Sequence, residues 1–389
     1  MSSPLHAAIE KAILGHFLDK LSQTNLVLGS GGSRLTSGNC RPHVELEAEM
    51  KDYFRYPAAL LCNSGFEANV SFFHSVPQSG DAVIFDEYLH ASARDGMAAS
   101  RANRALYPFT HNSVSSLREC IVNVLQRHPN IAAGKGTVYV GVESLYSMDG
   151  DFAPLPQIVQ VVEELIPKGS AHIFVDEAHS TGIYERDGRG LVALLGLEDK
   201  VDTVLHTFGK ARAAFGAALL TSHLIKTYII NYARPHIYTT SLPHADILAL
   251  NTTFDYISSP AGAELRERLQ RLSKYFSRRL TEALKQVPAE LLALPVEVQH
   301  PGFPVGLASP MHPILTPAPV SLQNYLRKLG YSARAIPYPV VPKGQERMRV
   351  TVHARNSEKE VDEFIVHLLN WAKTMQAVSP ATNEVQAKL

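Results

Sequence analysis

The chain has 389 residues, of which 45% are hydrophobic and 19% are charged, and its 37 basic residues balance its 37 acidic ones. This composition is typical of a globular protein with a large core and a smaller second domain, and it excludes a disordered or fibrous chain. The balanced charge gives no field that would attract nucleic acid, and no apolar run approaches the roughly 20 residues that a membrane-spanning helix needs.

The first 21 residues carry acidic side chains and apolar residues at helical spacing, which predicts an amphipathic helix over 5–21 rather than a cleaved signal. The three cysteines, Cys40, Cys62 and Cys120, are odd in number and widely spaced. This pattern favours reduced, mostly buried thiols over a disulfide framework.

A glycine-rich stretch, GSGGSRLTSG from Gly29 to Gly38, precedes a predicted helix over 43–54, and strands and helices alternate beyond residue 57. The predicted strands are Ala58–Cys62, Ala82–Asp86, Ala105–Phe109, Thr137–Glu143, His172–Asp176 and the strand-like run Asp202–Phe208, followed by the apolar Gly216–Thr221. Continuous apolar runs such as TVYVGVE are typical of parallel strands buried on both faces. The sequence therefore predicts an α/β fold with a parallel sheet.

The second half of the chain begins with a hydroxyl-rich loop, Ile237–Pro243, and long helices to about Val287. A proline-rich stretch around 301–319 then marks a change in composition, and two or three strands and two helices, Ser321–Leu329 and Glu358–Met375, are predicted beyond it. We predict an N-terminal helical segment over 1–27, a large domain over 28–290, a small α+β domain over 291–376 and a flexible tail over 377–389.

Asp176 ends one predicted strand and Lys210 follows the next. If those strands are parallel neighbours, the two side chains converge at the carboxyl edge of the sheet, where such folds bind ligands. A lysine that can bond to an aldehyde and an acid that keeps a pyridine nitrogen protonated are the requirements of pyridoxal phosphate (PLP). The pair therefore predicts a PLP site.

The segment Asn63–Asn69, NSGFEAN, follows a predicted strand and begins a helix. The unpaired N–H groups of such a helix start can hold a phosphate without a cationic side chain. Asn-Ser-Gly is also an ordinary helix start, so the segment alone leaves both interpretations open.

Ten stretches taken together resemble the α-oxoamine synthases, which are fold-type I PLP enzymes, and within them the 8-amino-7-oxononanoate synthases. These stretches are GSGGSRLTSG, NSGFEAN, DEYLHAS, THN, ESLYSMDGD, VDEAHSTG, GRG, TFGKA, IYTTSLP and MRVTVHA. The resemblance covers roughly residues 24–372 and implies a large domain with a mostly parallel seven-stranded sheet plus a small C-terminal domain.

The resemblance also implies roles for individual residues. Lys210 would bond to the cofactor, Asp176 would pair with the pyridine N–H, His179 would bind the phenolic oxygen and His90 would stack on the ring. Further cofactor contacts would come from Gly65, Phe66, Ser147 and Thr207, and, across a dimer interface, from Thr240 and Ser241. Ser33 and Arg349 would bind substrate, Arg349 through the amino acid's carboxylate, with Arg347 as a second candidate that could equally point to solvent.

The implied activity is the condensation of an amino acid, L-alanine, with an acyl-CoA, pimeloyl-CoA, to 8-amino-7-oxononanoate, CoA and CO2 in biotin biosynthesis. Relatives in this family act as homodimers with the active site at the interface. The final tripeptide Ala387-Lys388-Leu389 is a variant of the Ser-Lys-Leu peroxisomal address, and the corresponding fungal enzymes are peroxisomal, so we expect peroxisomal or otherwise cytoplasmic localisation.

The sequence departs from the family at three places. Only 28 residues precede Gly29, Arg212-Ala213 replaces the usual Phe-Gly after the lysine, and Val340 replaces a threonine. A related synthase that uses another amino acid or acyl thioester is therefore an open alternative, and so is a non-catalytic partner subunit, although such partners typically lack the lysine. The DEAH motif over 176–179 is also found in helicases, but the chain has no GxxxxGK[ST] loop, and we discount that class.

Overall fold

The structure of the protein, a computed structural model, describes residues 4–23, 29–295, 302–304 and 306–386, with side chains described from residue 11 to residue 377 of those ranges. These residues form two compact units. The larger unit comprises Met1–Tyr146, Phe152–Ala263 and His300–Phe303, and the smaller one Ser147–Asp151, Glu264–Gln299 and Pro304–Leu389. The predicted peroxisomal tripeptide, residues 387–389, lies outside the described ranges.

A sheet of seven strands forms the centre of the larger unit. Its strands are β1 (Ala58–Cys62), β2 (Ala82–Asp86), β3 (Leu106–Phe109), β4 (Val138–Glu143), β5 (Ala171–Asp176), β6 (Thr203–Thr207) and β7 (Ala217–Thr221). Their spatial order is β1-β7-β6-β5-β4-β2-β3, and all neighbours are parallel except β7, which runs antiparallel to β1 and β6. The predicted fold class is therefore confirmed.

Eleven helices lie wholly in the larger unit, counted over the described ranges. They are α1 (Pro4–Ser22), α2 (Arg41–Phe54), α3 (Gly65–Ser75), α4 (Ala91–Ala98), α5 (Val114–Arg127), α6 (Pro129–Ala132), α7 (Leu155–Leu165), α8 (Leu191–Leu194), α9 (His223–Tyr232), α10 (Arg234–Tyr238) and α11 (His244–Ile257). The predicted loop over 237–243 needs correction, because α10 includes its first two residues. The ring of Pro235, in the first turn of α10, restricts φ to a helical value, which favours this short helix.

The strands are buried as their apolar runs predict. Every residue of β1, β4, β6 and β7 is buried. From α3, the rings of Phe72 and Phe73 each lie 4.7 Å from the ring of Phe174 in β5, and Gly141 of β4 leaves the space that Phe73 occupies. Burying each phenylalanine stabilises the fold by roughly 1.5–3 kcal/mol, so α3 is held firmly against the sheet.

The smaller unit has a three-stranded antiparallel sheet, ordered β8-β10-β9, and three helices among its described residues. The strands are β8 (Met311–Leu315), β9 (Arg334–Ile336) and β10 (Arg347–Thr351), and the helices are α12 (Pro260–Leu284), α13 (Pro319–Lys328) and α14 (Glu358–Gln386). The division between the units falls in the first turn of α12, between Ala263 and Glu264, rather than near residue 290. The reason is that Leu272, Phe276 and Leu280 of α12 belong to the core of the smaller unit.

The predicted flexible tail from residue 377 also differs from the structure, because α14 continues to Gln386. Extending an existing helix requires only one residue to be fixed for each new hydrogen bond, so a polar segment can continue it. None of the described helices is both long and apolar enough to cross a membrane. Cys40, Cys62 and Cys120 are free thiols, as predicted, although only Cys62 is fully buried.

Candidate active site

Asp176 and Lys210 converge as the sequence predicts. β5 and β6 are parallel neighbours, with Asp176 opposite Leu205, and Lys210 lies just beyond the end of β6. Both side chains line one cavity of about 280 Å³ in the larger unit. The predicted site residues Gly65, Phe66, His90, His179 and Thr207 line the same cavity.

Asp176 is held in an orientation suited to a bound cation or N–H group. It is 4% exposed, and its Oδ1 accepts a hydrogen bond of 2.9 Å from the backbone N–H of Ala178. Its Oδ2 accepts another of 2.9 Å from Nδ2 of Asn69. The sequence did not identify Asn69 as a site residue, although it closes the NSGFEAN motif.

Lys210 lies in a tight loop between β6 and β7. The loop is closed by hydrogen bonds from Phe208 N to Gly216 O, 3.0 Å, and from Ala214 N to Phe208 O, 2.9 Å. The Nζ of Lys210 is 3.5 Å from Oγ1 of Thr207, so this hydroxyl and the amine face the same part of the cavity.

The two residues that replace the family's Phe-Gly have distinct environments in this loop. Arg212 is 2% exposed, and its guanidinium lies 3.6 Å from the centre of the Phe254 ring and 3.2 Å from the hydroxyl of Tyr53. A guanidinium over an aromatic face is attracted by the ring's electrons, which stabilises this burial. Ala213 has a φ of 50°, in the left-handed region where glycine is favoured. The departure from the family thus alters packing behind the lysine and introduces local strain.

The start of α3 forms another wall of the cavity. The Ser64 side chain accepts from Glu67 N, and the Ser64 carbonyl accepts from Ala68 N. The amides of Gly65 and Phe66 come earlier in the helix and have no partner among the described residues. A side chain at Gly65 would collide with the Thr207 methyl group, so glycine allows Thr207 to approach the helix start. This arrangement is suited to a phosphate group.

The two predicted histidines both line the cavity. His90 caps the N-terminus of α4, where its Nδ1 accepts from the backbone N–H of Ser92 at 3.2 Å and lies 2.7 Å from the Ser92 hydroxyl. His179 follows Asp176 by three residues in the turn after β5. The ring contacts predicted for these histidines involve the cofactor and stay predictions.

Glu143 is a cavity residue that the sequence reasoning missed. It ends β4 directly opposite Asp176 of β5 and is 4% exposed. Burial, together with the Asp176 carboxylate, raises the pKa of Glu143 well above its usual range, although Lys210 partly opposes this. A carboxyl group at the end of a buried strand beside the Asp176 strand was the available signal.

Three predicted residues lie elsewhere in the larger unit. Ser241 is buried, and its hydroxyl donates to the carbonyl oxygens of Gly38, at 2.8 Å, and Gly32, at 3.1 Å, in the glycine-rich stretch. Ser33 is buried in the same stretch, with its hydroxyl 3.1 Å from that of Thr36. Thr240 is exposed. None of the three lines the described cavity of its own chain. The role of Thr240 and Ser241 across a dimer interface and that of Ser33 in substrate binding stay predictions.

Ser147 and the two predicted arginines belong to the smaller unit. Nη1 of Arg349 donates to the carbonyl oxygen of Ser147 at 3.1 Å, and no carboxylate pairs with Arg349 among the described residues. Burial and the neighbouring Arg334 lower its pKa, so an anion would stabilise it. Arg347, predicted to be a substitute or to face solvent, is 1% exposed and is ion-paired with Asp149. The solvent-facing alternative is therefore wrong, and the ion pair disfavours Arg347 as the substitute because its charge already has a partner.

The family model of the aminotransferases of class I and II matches residues 3–368 of the chain. The chain belongs to this family. It is 36% identical over 374 residues to an 8-amino-7-oxononanoate synthase of Emericella nidulans, and the alignment covers 96% of this chain and 88% of that protein. It is 33% identical over 365 residues to the aminoacyl transferase sphA of Aspergillus fumigatus, spanning 92% and 77% of the two chains.

Among solved structures, the enzyme is similar to a serine palmitoyltransferase from S. paucimobilis with bound PLP and myriocin. The TM-score is 0.78 at 25% identity, over 94% of this chain and 84% of that one. The enzyme is a transferase, and PLP is its cofactor.

The cavity of the larger unit fits this cofactor by the chemistry of its walls. It offers an acid held as an acceptor, an amine on a tight loop, and a helix start whose first amides have no partner in the described part of the chain, beside a threonine hydroxyl. A pyridine N–H, an aldehyde and a phosphate are the matching groups of PLP.

Proposed function

We propose that the enzyme is an α-oxoamine synthase that condenses L-alanine with pimeloyl-CoA and releases 8-amino-7-oxononanoate, CoA and CO2. The observation that supports it most directly is the meeting of Asp176, Lys210 and the start of α3 at one cavity. The 36% identity to the synthase of Emericella nidulans, over nearly the whole chain, supports this choice of substrates.

In this proposal, each wall of the cavity holds one part of the cofactor. Asp176 accepts the pyridine N–H, while the amides of Gly65 and Phe66 and the hydroxyl of Thr207 bind the phosphate. His90 stacks on the ring, and His179 binds its phenolic oxygen. When bound, PLP supplies the electron sink that stabilises negative charge at the α-carbon of the amino acid.

Lys210 has two tasks in the proposed reaction. Its Nζ would hold the cofactor at its aldehyde group, and as a free amine it would remove the α-proton of the amino acid. Thr207, 3.5 Å from Nζ, orients the amine for this transfer. The carbon that has lost its proton attacks the thioester carbonyl, the C–S bond breaks, CoA leaves as the thiol, and the β-keto acid then loses CO2.

A second candidate is a related synthase that takes another amino acid and acyl thioester. The 33% identity to an aminoacyl transferase, spanning 92% of this chain, favours it, and so does the replacement of Phe-Gly by Arg212-Ala213 behind the lysine. A non-catalytic partner subunit is disfavoured because Lys210 is present and lines the cavity.

A substrate matrix tests these alternatives. The purified enzyme, loaded with PLP, would be incubated with L-alanine, glycine or L-serine and with pimeloyl-CoA or shorter and longer acyl-CoAs, and both CoA release and product mass would be measured. We expect L-alanine with pimeloyl-CoA to react fastest, and Lys210→Ala to abolish both turnover and the visible absorbance of the bound cofactor. Lys200→Ala is the control, because Lys200 pairs with Glu163 on the surface.

Turnover confined to another amino acid or thioester would replace the first candidate by the second. If the wild-type protein binds PLP but releases no CoA with any pair of amino acid and acyl-CoA in the matrix, both candidate functions are overturned. Three further points of the proposal stay predictions: the homodimer with Thr240 and Ser241 acting in the partner's site, carboxylate binding by Arg349, and peroxisomal import. Light scattering would check the homodimer. The KM of an Arg349→Lys variant for the amino acid would check carboxylate binding, and the location of a tagged full chain in cells would check import.

A further inference from the structure

Asn69 connects two parts of the cavity that lie on different elements of the larger unit. It lies in the first turns of α3, is 2% exposed, and uses Nδ2 for two hydrogen bonds. One goes to Oδ2 of Asp176 at 2.9 Å, and the other to Oγ of Ser92 at 3.1 Å. Asn69 is therefore the link between the acid after β5 and the start of α4.

The surroundings of Asn69 determine which way its amide points. Its Oδ1 is buried and has no hydrogen-bond partner among the described residues. A flipped amide would place that oxygen against the Asp176 carboxylate, where two acceptors would repel each other. The protein leaves one buried oxygen unpaired, which is unfavourable, and in return both N–H bonds of the amide are used at Asp176 and Ser92.

The chain of hydrogen bonds continues from Ser92 to His90, with each group donating to the next. The Ser92 hydroxyl accepts from Asn69 and lies 2.7 Å from Nδ1 of His90. The backbone N–H of Ser92 also points at this Nδ1, at 3.2 Å, so Nδ1 has to be an acceptor. The Ser92 hydroxyl is then the donor, and the imidazole proton of His90 lies on Nε2.

Close packing of α3 against α4 makes this link possible. A side chain at Gly96 of α4 would lie 3.0 Å from Cβ of Phe73, 3.1 Å from Cα of Val70 and 3.2 Å from the carbonyl oxygen of Asn69. Glycine therefore lets the two helix backbones approach within the reach of a short amide side chain. Alanine at this position would push α4 away without removing any group of the chain of hydrogen bonds.

We propose that Asn69 is a positioning residue that fixes Asp176 as the acceptor for the pyridine N–H and, through Ser92, fixes His90 as the neutral tautomer with its proton on Nε2. The inference rests on PLP as the cofactor and on the proposed roles of Asp176 and His90. It does not depend on which amino acid or acyl thioester the enzyme uses.

The test measures cofactor binding in the absence of substrates. The dissociation constant of PLP and the pH midpoint of its visible absorbance would be determined for the wild type and for Asn69→Ala, Asn69→Asp and Ser92→Ala. Asn231→Ala is the control, because Asn231 is exposed and its amide donates, among the described residues, to the backbone carbonyl of Thr227 in α9 alone. NMR of ¹⁵N-histidine-labelled protein, with His90→Gln for assignment, would report the tautomer of His90.

Asn69→Ala should raise the PLP dissociation constant at least tenfold and shift the pH midpoint. Asn69→Asp should be worse at neutral pH, because a second carboxylate beside Asp176 repels it. Ser92→Ala should change the constant less than threefold and weaken the preference of His90 for the Nε2 proton without abolishing it, because the backbone N–H of residue 92 still donates to Nδ1. Because Asn69 and Ser92 act in one chain, the tautomer of the double variant should match that of Ser92→Ala alone.

Gly96→Ala provides a second route if Asn69→Ala does not fold, and it should produce the same spectral shift in a weaker form. The proposal is overturned if folded Asn69→Ala binds PLP within twofold of the wild type with an unchanged pH midpoint, or if His90 carries its proton on Nδ1 in the wild type. Failure of the proposed function is a separate result, because it would appear as absent turnover in a wild type that still binds PLP.

Discussion

Gly190, directly before α8, is a position at which a single added methyl group should harm the fold. Its φ of 100° and ψ of −171° fall in a region that residues with a Cβ rarely adopt. A Cβ there would overlap Oε2 of Glu177 and lie 2.7 Å from its Cδ. Glu177 is fully buried, and its Oε1 accepts from Leu191 N at 2.7 Å and Val192 N at 2.8 Å. Gly190→Ala therefore forces Glu177 away from both amides.

The expected loss of stability follows from these two effects. The backbone conformation costs alanine about 1–3 kcal/mol. Each of the two hydrogen bonds that Glu177 accepts contributes about 1.5 kcal/mol or more. The total is roughly 4–6 kcal/mol, a large fraction of the about 5–15 kcal/mol by which folded proteins are stable. Glu177 directly follows Asp176, so PLP binding should weaken as well.

Gly196→Ala is the matched control. Gly196 also has a positive φ, 65°, but an added Cβ would meet no atom of the described residues within 4 Å. Its replacement should cost only about 1 kcal/mol, from the left-handed conformation alone. Guanidinium unfolding would be followed by circular dichroism, because the single tryptophan, Trp371, lies in the smaller unit. If the two variants differ by less than about 1 kcal/mol, the overlap with Glu177 does not carry the effect that we assign to it.

Three other changes have defined outcomes. Ala213→Gly should stabilise the enzyme by about 0.5–1 kcal/mol in denaturant titrations. The reason is that the free energy gained by relieving the left-handed conformation exceeds the entropic cost of a glycine in the unfolded chain. A loss of stability would contradict this. Glu143→Gln should leave the PLP dissociation constant within about twofold, because burial raises the pKa of Glu143 and favours its neutral form. Asp176→Asn should raise the dissociation constant at least about tenfold, and equal effects of the two changes would refute the assignment. Burial lowers the pKa of His172 to about 4, so the unfolded chain takes up a proton first as the pH falls from about 6.5. The wild type should lose about 3 kcal/mol more than His172→Gln between pH 6.5 and pH 4, and parallel stability curves would exclude this.

The sequence by itself determined the fold class and the chemical identity of the cofactor site. Apolar runs without alternation require strands buried on both faces, and an acid and a lysine after two such strands require a common edge if the strands are parallel. These signals are local, since each depends on residue types within a few positions. The convergence of Asp176, Lys210 and the start of α3 was predictable for that reason.

Only the tertiary structure decided which groups surround these residues. Asn69 carries no local sign of its position, and the sequence shows only that Glu143 ends a buried strand. Both enter the site because α3 and β4 pack beside β5. Arg347 and Arg349 share one face of β10 by alternation, yet Asp149 neutralises the first while no described carboxylate pairs with the second. Long-range packing sets burial and charge pairing, which a pattern of neighbouring residues cannot encode. The sequence therefore named the cofactor, and the fold determined how its site is held and charged.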